Sequence, residues 1–336
     1  MQTLTSEHRR PGGREPGLEA LVGESPPFLA VLHRIPRLAE TEAPVMITGE
    51  TGTGKELVAW ALHDRSGRQG RAFVPLNCGA LPETLVENEL FGHARGAFTD
   101  ATSHADGLLA EADGGTLFLD EVDALGPGAQ VKLLRFLQSC EYRPLGSPRT
   151  RRADLRILAA TNADLPRLVA ERRFRQDLFY RLDVLRLCLP PLRDRPGDVT
   201  LLAQRFLERH AARHHRGALR FSPGALARLA AHTWPGNVRE LEAVVQRAAL
   251  LSDGPVLQAE DLDLPDGLAA PGDEAVAGSL RQRREQAVEL AERACLLDAL
   301  AAHAGNVTRA AQSVGKERRS FQRLLRKHAI DRGAFA

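Results

Sequence analysis

The stretch Val45-Met46-Ile47-Thr48-Gly49-Glu50-Thr51-Gly52-Thr53-Gly54-Lys55-Glu56 decides the fold. Its first four residues run apolar without alternation, as a strand buried on both faces does. They lead into G-x-x-x-x-G-K, and a helical pattern opens at Glu56 and continues to about His63. Strand, glycine-rich turn and helix in that order is the context in which this spacing cradles phosphate. The glycines let backbone N–H groups face inward, the helix N-terminus adds positive potential, and Lys55 reaches the β- and γ-phosphates. Gly49, Glu50, Thr51, Gly52, Thr53, Gly54, Lys55 and Glu56 are the expected nucleotide-binding residues. The competing reading, a bare glycine turn, ignores the flanking strand and helix. Glu56 stands where a hydroxyl usually touches Mg2+, so the metal must lean on other oxygens.

Working outward, further continuous apolar runs occur at Phe73–Leu76, Thr116–Leu119, Arg156–Ala160 and Val184–Leu187. They alternate with helical patterns, which predicts an α/β domain around a parallel sheet. The third run ends in Asp120-Glu121, a Walker B pattern. Asp120 is placed to hold Mg2+ through oxygen ligands, and Glu121 to orient and deprotonate an attacking water. An acidic strand end also arises by chance; its position downstream of a phosphate loop favours the functional reading. After Pro190-Pro191 the strands are expected to stop, leaving helices over 198–251. Ser222-Pro223 reads as a helix start, with serine as N-cap.

Hydrophobic residues make up 43% of the 336, charged residues 26% and aromatics 5%, so a soluble protein with an aliphatic core is expected. Net charge is +2, but Ser279 to Ala336 carries twelve Lys or Arg against six Asp or Glu. A basic end segment suits a polyanion partner, with a solvated helical face as the alternative. Cys78, Cys140, Cys188 and Cys295 form no C-x-x-C pair, which argues against a thiolate metal or redox site and fits a reducing cytoplasm. No apolar run is long enough for a membrane span, and the polar N-terminus is not a secretory signal. His210, His214 and His215 lack a clear third metal ligand and read as a solvated helix face.

From about 285 to 303 one helix presents Ala287, Leu290, Ala294, Leu297 and Leu300 on a common face. Gly305-Asn306 breaks it, Val307–Val314 makes a short helix with Ala310-Ala311 for close packing, and Gly315 turns the chain. The helix that follows, Lys316–His328, buries Phe321, Leu324 and Leu325 and exposes a basic face. Two helices joined by a tight turn, the second basic, predict a helix-turn-helix. Lys316, Arg318, Arg319, Ser320, Arg323, Arg326 and Lys327 are the expected DNA-binding residues, with Arg318, Arg319, Ser320 or Arg323 reading bases. A protein-docking helical hairpin is the alternative.

Five motifs in order, GETGTGKE (49–56), ELFGHARGAFTDA (89–101), GGTLFLDEVD (114–123), FRQDLFYRLDV (174–184) and WPGNVREL (234–241), resemble the bacterial enhancer-binding proteins. These are the sigma-54-dependent activators of the AAA+ superfamily, and the resemblance covers about residues 20–262 and the C-terminal, Fis-type helices. It implies an α/β subdomain at 20–192, a helical lid at 193–264 and a DNA-binding domain at 284–332; by composition, the polar, Gly/Pro-rich residues 1–19 read as a disordered tail and 265–283, rich in Gly, Pro, Ala and acidic residues, as a linker. The resemblance also implies ATP with Mg2+, a homo-oligomeric ring (a hexamer), upstream DNA and the sigma-54 RNA polymerase holoenzyme as partners. Asn77 matches a switch asparagine that bonds Glu121, Asn162 beside Thr161 matches sensor I, and Arg239 matches sensor II. Arg175 and Arg181 match arginine fingers supplied to a neighbour's ATP. Val22 and Gly23 match the segment against adenine.

Gly96, Ala97, Phe98, Thr99, Asp100 and Ala101 align with the loop that meets sigma-54, Phe98 as an aromatic anchor. Asp100 departs from the usual second glycine: it adds a charge and tolerates left-handed backbone less easily. Two other classes therefore stand beside the activator: a DNA-binding regulator in which ATP controls assembly only, and a motor acting on DNA itself. With no sensor domain legible before residue 20, the expectation is control in trans by a regulatory protein, constitutive activity, or a misplaced coding start.

Overall fold

A computed structural model describes residues 21–97, 103–252 and 254–264, and in the C-terminal region positions 296, 299, 303, 307–313, 321, 324 and 325. The chain divides into two units, the first reaching Ala270 and the second beginning at Pro271. In the first unit the elements run α1 (Pro26–Ala39), β1 (Val45–Thr48), α2 (Lys55–Asp64), β2 (Phe73–Asn77), α3 (Glu83–Phe91), β3 (Gly92–His93), β4 (Ala105–Asp106), α4 (Leu108–Glu111), β5 (Thr116–Asp120) and α5 (Pro127–Ser139). There follow β6 (Glu141–Tyr142), β7 (Arg151–Arg152), β8 (Arg156–Thr161), α6 (Leu165–Ala170), α7 (Gln176–Leu182), β9 (Leu185–Cys188), α8 (Asp198–Arg213), β10 (Arg220–Phe221), α9 (Pro223–Ala231), α10 (Asn237–Leu251) and β11 (Val256–Leu257).

The five expected runs build one parallel sheet in the order β2-β5-β8-β1-β9. Its residues alternate between two cores. Met46, Leu117, Leu119, Ile157 and Ala159 face one, and Val45, Ile47, Phe118, Leu158 and Ala160 face the other. Burial on both faces is why the runs read as continuous. Val184 lies just outside β9 and is 54% exposed, so the last strand begins one residue later than expected. Strand register aligns the functional ends: Asn77 lies beside Asp120, and Thr48 beside Thr161. A parallel sheet presents such carboxyl ends at one crevice, where ligands bind.

Beyond the sheet, α8, α9 and α10 enclose a separate core around the fully buried Trp234. Ser222 caps α9 as expected, its hydroxyl accepting the N–H of Ala225 at 3.2 Å. The expectation that strands stop after Pro191 is corrected here, because β10 and β11 pair in parallel. Two-residue strands are too short to leave a hydrophobic period. The expectation of a solvated histidine face holds for the exposed His214 and His215 but is corrected at His210, which is only 3% exposed, on α8, with neither ring nitrogen bonded.

In the second unit, α11 (Val307–Ser313) buries Val307, Ala310 and Ala311 against Leu296, Ala299, Phe321 and Leu325. The alanines allow the close approach the sequence predicts. The expected face of Ala287, Leu290, Ala294, Leu297 and Leu300 lies outside the described residues, as do the tail and linker. Among the described residues, no helix is long and apolar enough to cross a membrane.

Candidate nucleotide-binding site

The turn from β1 to α2 depends on backbone that only glycine adopts freely. Gly52 and Gly54 sit at φ 79° and 98°, in the left-handed region. A Cβ on Gly52 would run into the carbonyl oxygen of Gly236, so the turn also needs glycine to let the lid approach. Thr53 fastens the loop from within, its buried hydroxyl donating to the Glu50 carbonyl at 2.8 Å. Lys55 Nζ lies over the loop and donates to the carbonyls of Gly49 at 2.9 Å and Glu50 at 3.1 Å. Burial pulls the Lys55 ammonium below the ordinary lysine value, while the charges of Asp120 and Glu121 oppose that. The cradle thus holds a cation at the N-terminus of α2 and suits a polyphosphate.

Across the crevice, Glu121 follows β5 in a left-handed conformation, φ 53°. Strain in a non-glycine residue of this kind gathers at functional sites. Its carboxylate lies over Gly79, where a Cβ would collide with Oε2. Asp120 Oδ1 accepts the N–H of Glu121 at 3.0 Å. The Cys78 thiol is buried in this corner. Burial first, then the charges of Asp120, Asp123 and Glu121, push it up to about 12. Among the described residues no three His, Cys, Asp or Glu side chains form a metal cage. Asp120, at the end of β5, offers a single carboxylate, and Mg2+ is an ion that keeps most of its ligands as phosphate oxygen and water.

Asn77 does not bond Glu121 in this conformation. Its Oδ1 instead accepts the N–H groups of Gly79 at 2.8 Å and Ala80 at 3.0 Å, closing the turn after β2. Asparagine competes well for neighbouring backbone donors, which gives the side chain this second use. Asn162 reaches the phosphate loop directly, Nδ2 donating to Thr51 Oγ1 at 2.9 Å. Thr161 bonds Asp123 and takes the N–H of Ala163 at 2.9 Å, which fixes the turn carrying Asn162.

Two residues that sequence reading gave no individual role lock the lid to the loop. Arg193 makes two bonds to Glu50, at 2.9 and 2.6 Å, and these hold its carboxyl below the ordinary glutamate value. Asn237 is fully buried; its Nδ2 donates to Glu50 Oε2 and to Thr51 O, both at 3.0 Å, and its Oδ1 accepts Leu192 N at 2.7 Å. Val238 N then donates to Gly52 O at 3.0 Å. Arg239 follows on the exposed side of α10 and lowers the Lys55 value by its charge. Its guanidinium holds no bond to another described residue.

The chain is similar to known proteins over nearly its whole length. The Sigma-54 interaction domain matches residues 21–188, the AAA+ ATPase lid domain residues 193–275, and the bacterial regulatory protein, Fis family, residues 287–328. The chain belongs to the sigma-54-dependent transcriptional regulators. Among them, NorR1, a nitric oxide reductase transcription regulator of Cupriavidus necator, is 44% identical over 95% of this chain and 66% of its own length. The transcriptional regulatory protein GlrR of Escherichia coli (strain K12) is 42% identical over 98% of this chain and 72% of its own. A crystal structure of NtrX from Brucella abortus in complex with ADP superposes with TM-score 0.71 at 34% identity, covering 92% of this chain and 69% of that one. The chain thus spans about two thirds of the length of such regulators.

Within this regulator the remaining expected residues fall into three groups. Val22 and Gly23 lie where the segment before α1 meets the lid. Val22 O accepts Arg195 Nη2 at 3.0 Å, and a Cβ on Gly23 would stand 2.6 Å from Asp198 Oδ2. Arg175 and Arg181 are exposed at either end of α7; the Arg175 guanidinium bonds Asp177 at 3.0 and 2.7 Å, and its backbone N–H donates to Gln130 Oε1 at 2.9 Å. Phe98, Thr99, Asp100 and Ala101, and the DNA-binding set from Lys316 to Lys327, lie outside the described residues. Gly96, at φ 80°, and Ala97 form the described entry to that loop.

Proposed function

We propose that this regulator is an ATP-driven activator. It binds DNA upstream of a promoter, assembles into a ring, and uses ATP hydrolysis to remodel sigma-54 RNA polymerase holoenzyme so that the promoter opens. What supports this reading most is one convergence: the loop under Lys55, the carboxylates after β5 and the first turn of α10 border the same crevice. Lys55 would leave its own loop carbonyls for phosphate oxygens. Glu121 would orient and deprotonate the attacking water. Mg2+, with Asp120 as a ligand, would supply neutralising charge on the phosphates. Val22 and Gly23 would border the adenine. Asn162 and Arg239 would report nucleotide state to β8 and to the lid, and Asn77 would hold Glu121 from water until the partner is engaged.

The exposed Arg175 and Arg181 would complete a neighbour's site, neutralising charge on the transferred phosphoryl group. Phe98 and its loop would carry the motion to sigma-54, and Arg318, Arg319 and their neighbours would anchor DNA. A Glu121→Gln protein tests the chemistry: ATP should bind as in the parent while turnover falls at least a hundredfold. Retained turnover would remove Glu121 as base. Asp100 in the partner loop favours a second reading, in which ATP controls assembly alone. ATP hydrolysis without open-complex formation by sigma-54 polymerase would select it.

A further inference from the structure

Two loops meet beside the entry to the partner loop. Ala94 N donates to Leu145 O and Leu145 N to Gly92 O, each at 2.8 Å. A Cβ on Gly146 would lie 2.7 Å from Ala97 Cβ. The turn after β3 and the hairpin between β6 and β7 therefore form one surface. Arg95, Arg143, Arg149 and Arg152 are all exposed on it. Among the described residues, the guanidiniums of Arg95, Arg149 and Arg152 have no ion pair or hydrogen bond; Arg143 only donates to the Thr150 hydroxyl, at 3.0 Å. The nearby Asp106 is already taken by Arg151 and by His104 at 2.9 Å, and Asp154 by Arg68 at 2.8 Å. Glu141, at the hairpin base, is the remaining exposed carboxylate of the hairpin.

Four cations on joined loops, none in an ion pair with a described residue, outnumber the single exposed carboxylate of the hairpin, Glu141; they repel one another, and a bound polyanion relieves that cost. The hairpin exposes no large apolar side chain; such residues occur elsewhere, at Leu85, Tyr180 and Leu251 among others. It therefore lacks the buried anchor that a protein partner ordinarily needs. Arginines with small hydroxyl residues, Ser147 and Thr150, are the set that grips phosphate oxygens without reading bases. We infer that this arginine surface is a second nucleic-acid contact, separate from the C-terminal helices, which binds the phosphate backbone of duplex DNA. It rests on the proposed activator function only for the source of that duplex, the promoter held by polymerase beside the partner loop.

The test uses the full chain with Arg318, Arg319 and Arg323 changed to Gln, which weakens the C-terminal contribution. Binding of a fluorescent duplex of random sequence is measured against salt concentration. Adding Arg95→Gln, Arg143→Gln, Arg149→Gln and Arg152→Gln should weaken the residual binding at least tenfold and reduce the log–log salt slope by about 2–4, close to one per lost phosphate contact. Lysine at the same four positions should preserve the slope. Should the fourfold variant not stay folded, Arg149→Gln alone must still lower the slope by about 1. Unchanged binding in either variant overturns the inference. So does polyglutamate competing as well as DNA, which would assign the surface to an acidic protein segment. ATP turnover is followed in parallel: a chain that loses the slope yet never hydrolyses ATP refutes the activator reading and leaves this contact standing.

Discussion

Arg193 and Glu50, 143 residues apart in the chain, meet in a two-bonded ion pair of 2.9 and 2.6 Å, joining the phosphate loop to the entry of the lid. The side chains remain 45% and 41% exposed, so the pair adds little to stability, about 0–1 kcal/mol. Its consequence lies in nucleotide response. In Glu50→Gln, Tm should move by no more than a few degrees while the KM for ATP rises several-fold. Steady-state kinetics beside a melting curve checks this; an unchanged KM would make the pair ornamental.

Asn237 should behave in the opposite way. It is buried, sits at φ 52°, and serves Glu50, Thr51 and Leu192 at once. Asn237→Ala strands the Leu192 N–H and strains the backbone, costing about 1–3 kcal/mol. Asn237→Gly relieves the φ angle but not the lost bonds, so it should recover part of the stability and none of the ATP affinity lost in Asn237→Ala. Urea unfolding and nucleotide titration of both variants separate the two effects.

These two residues mark where sequence reading ran out. The loop from Gly49 to Glu56 was legible because strand, glycines, lysine and helix are contiguous. So was the pair Asp120-Glu121, because a buried strand makes an abrupt acidic end conspicuous. Arg193 and Asn237 gain their roles only when segments 143 and 187 residues from Glu50 are brought together. Nothing local distinguishes Arg193 from its neighbours. Asn77 was legible as a strand-end asparagine, but its choice between backbone donors and Glu121 is a matter of conformation. His210 misled because period alone does not say which helix face α10 covers.

Arg195 and Asp198 form a buried ion pair at 2.8 Å, with side chains 2% and 1% exposed. Asp198 also accepts the N–H groups of Glu24 at 2.7 Å and Ser25 at 3.0 Å. Burial alone would raise its value, but the bonds from Glu24, Arg195 and Ser25 outweigh it and hold the carboxyl below the ordinary aspartate range. A depressed folded value means stability that is complete above the unfolded value of about 3.9 and is lost as pH falls through the folded one. Asp198→Asn should flatten that acid limb and cost about 3–5 kcal/mol at neutral pH, because Arg195 stays buried and unpaired. Unfolding free energy measured from pH 3 to 7 checks both.

The thiols should sort by environment. Cys78 is buried, with its value pushed up to about 12, whereas Cys140 and Cys188 are exposed. Only the thiolate reacts, so iodoacetamide at pH 8 should label Cys140 and Cys188 well before Cys78. Peptide mapping over time gives the order, and early labelling of Cys78 would mean that the corner beside Asp120 opens readily.

Mixing two inactive proteins tests most directly whether catalysis is shared between neighbours. Arg175→Ala retains its own Lys55, and Lys55→Ala retains its own Arg175. Each alone should hydrolyse ATP poorly. In an equal mixture, roughly a quarter of the boundaries in a head-to-tail ring unite an intact lysine with an intact arginine, and turnover should rise accordingly. No recovery at any mixing ratio, or full turnover by Arg175→Ala alone, would contradict a site completed by the adjoining subunit.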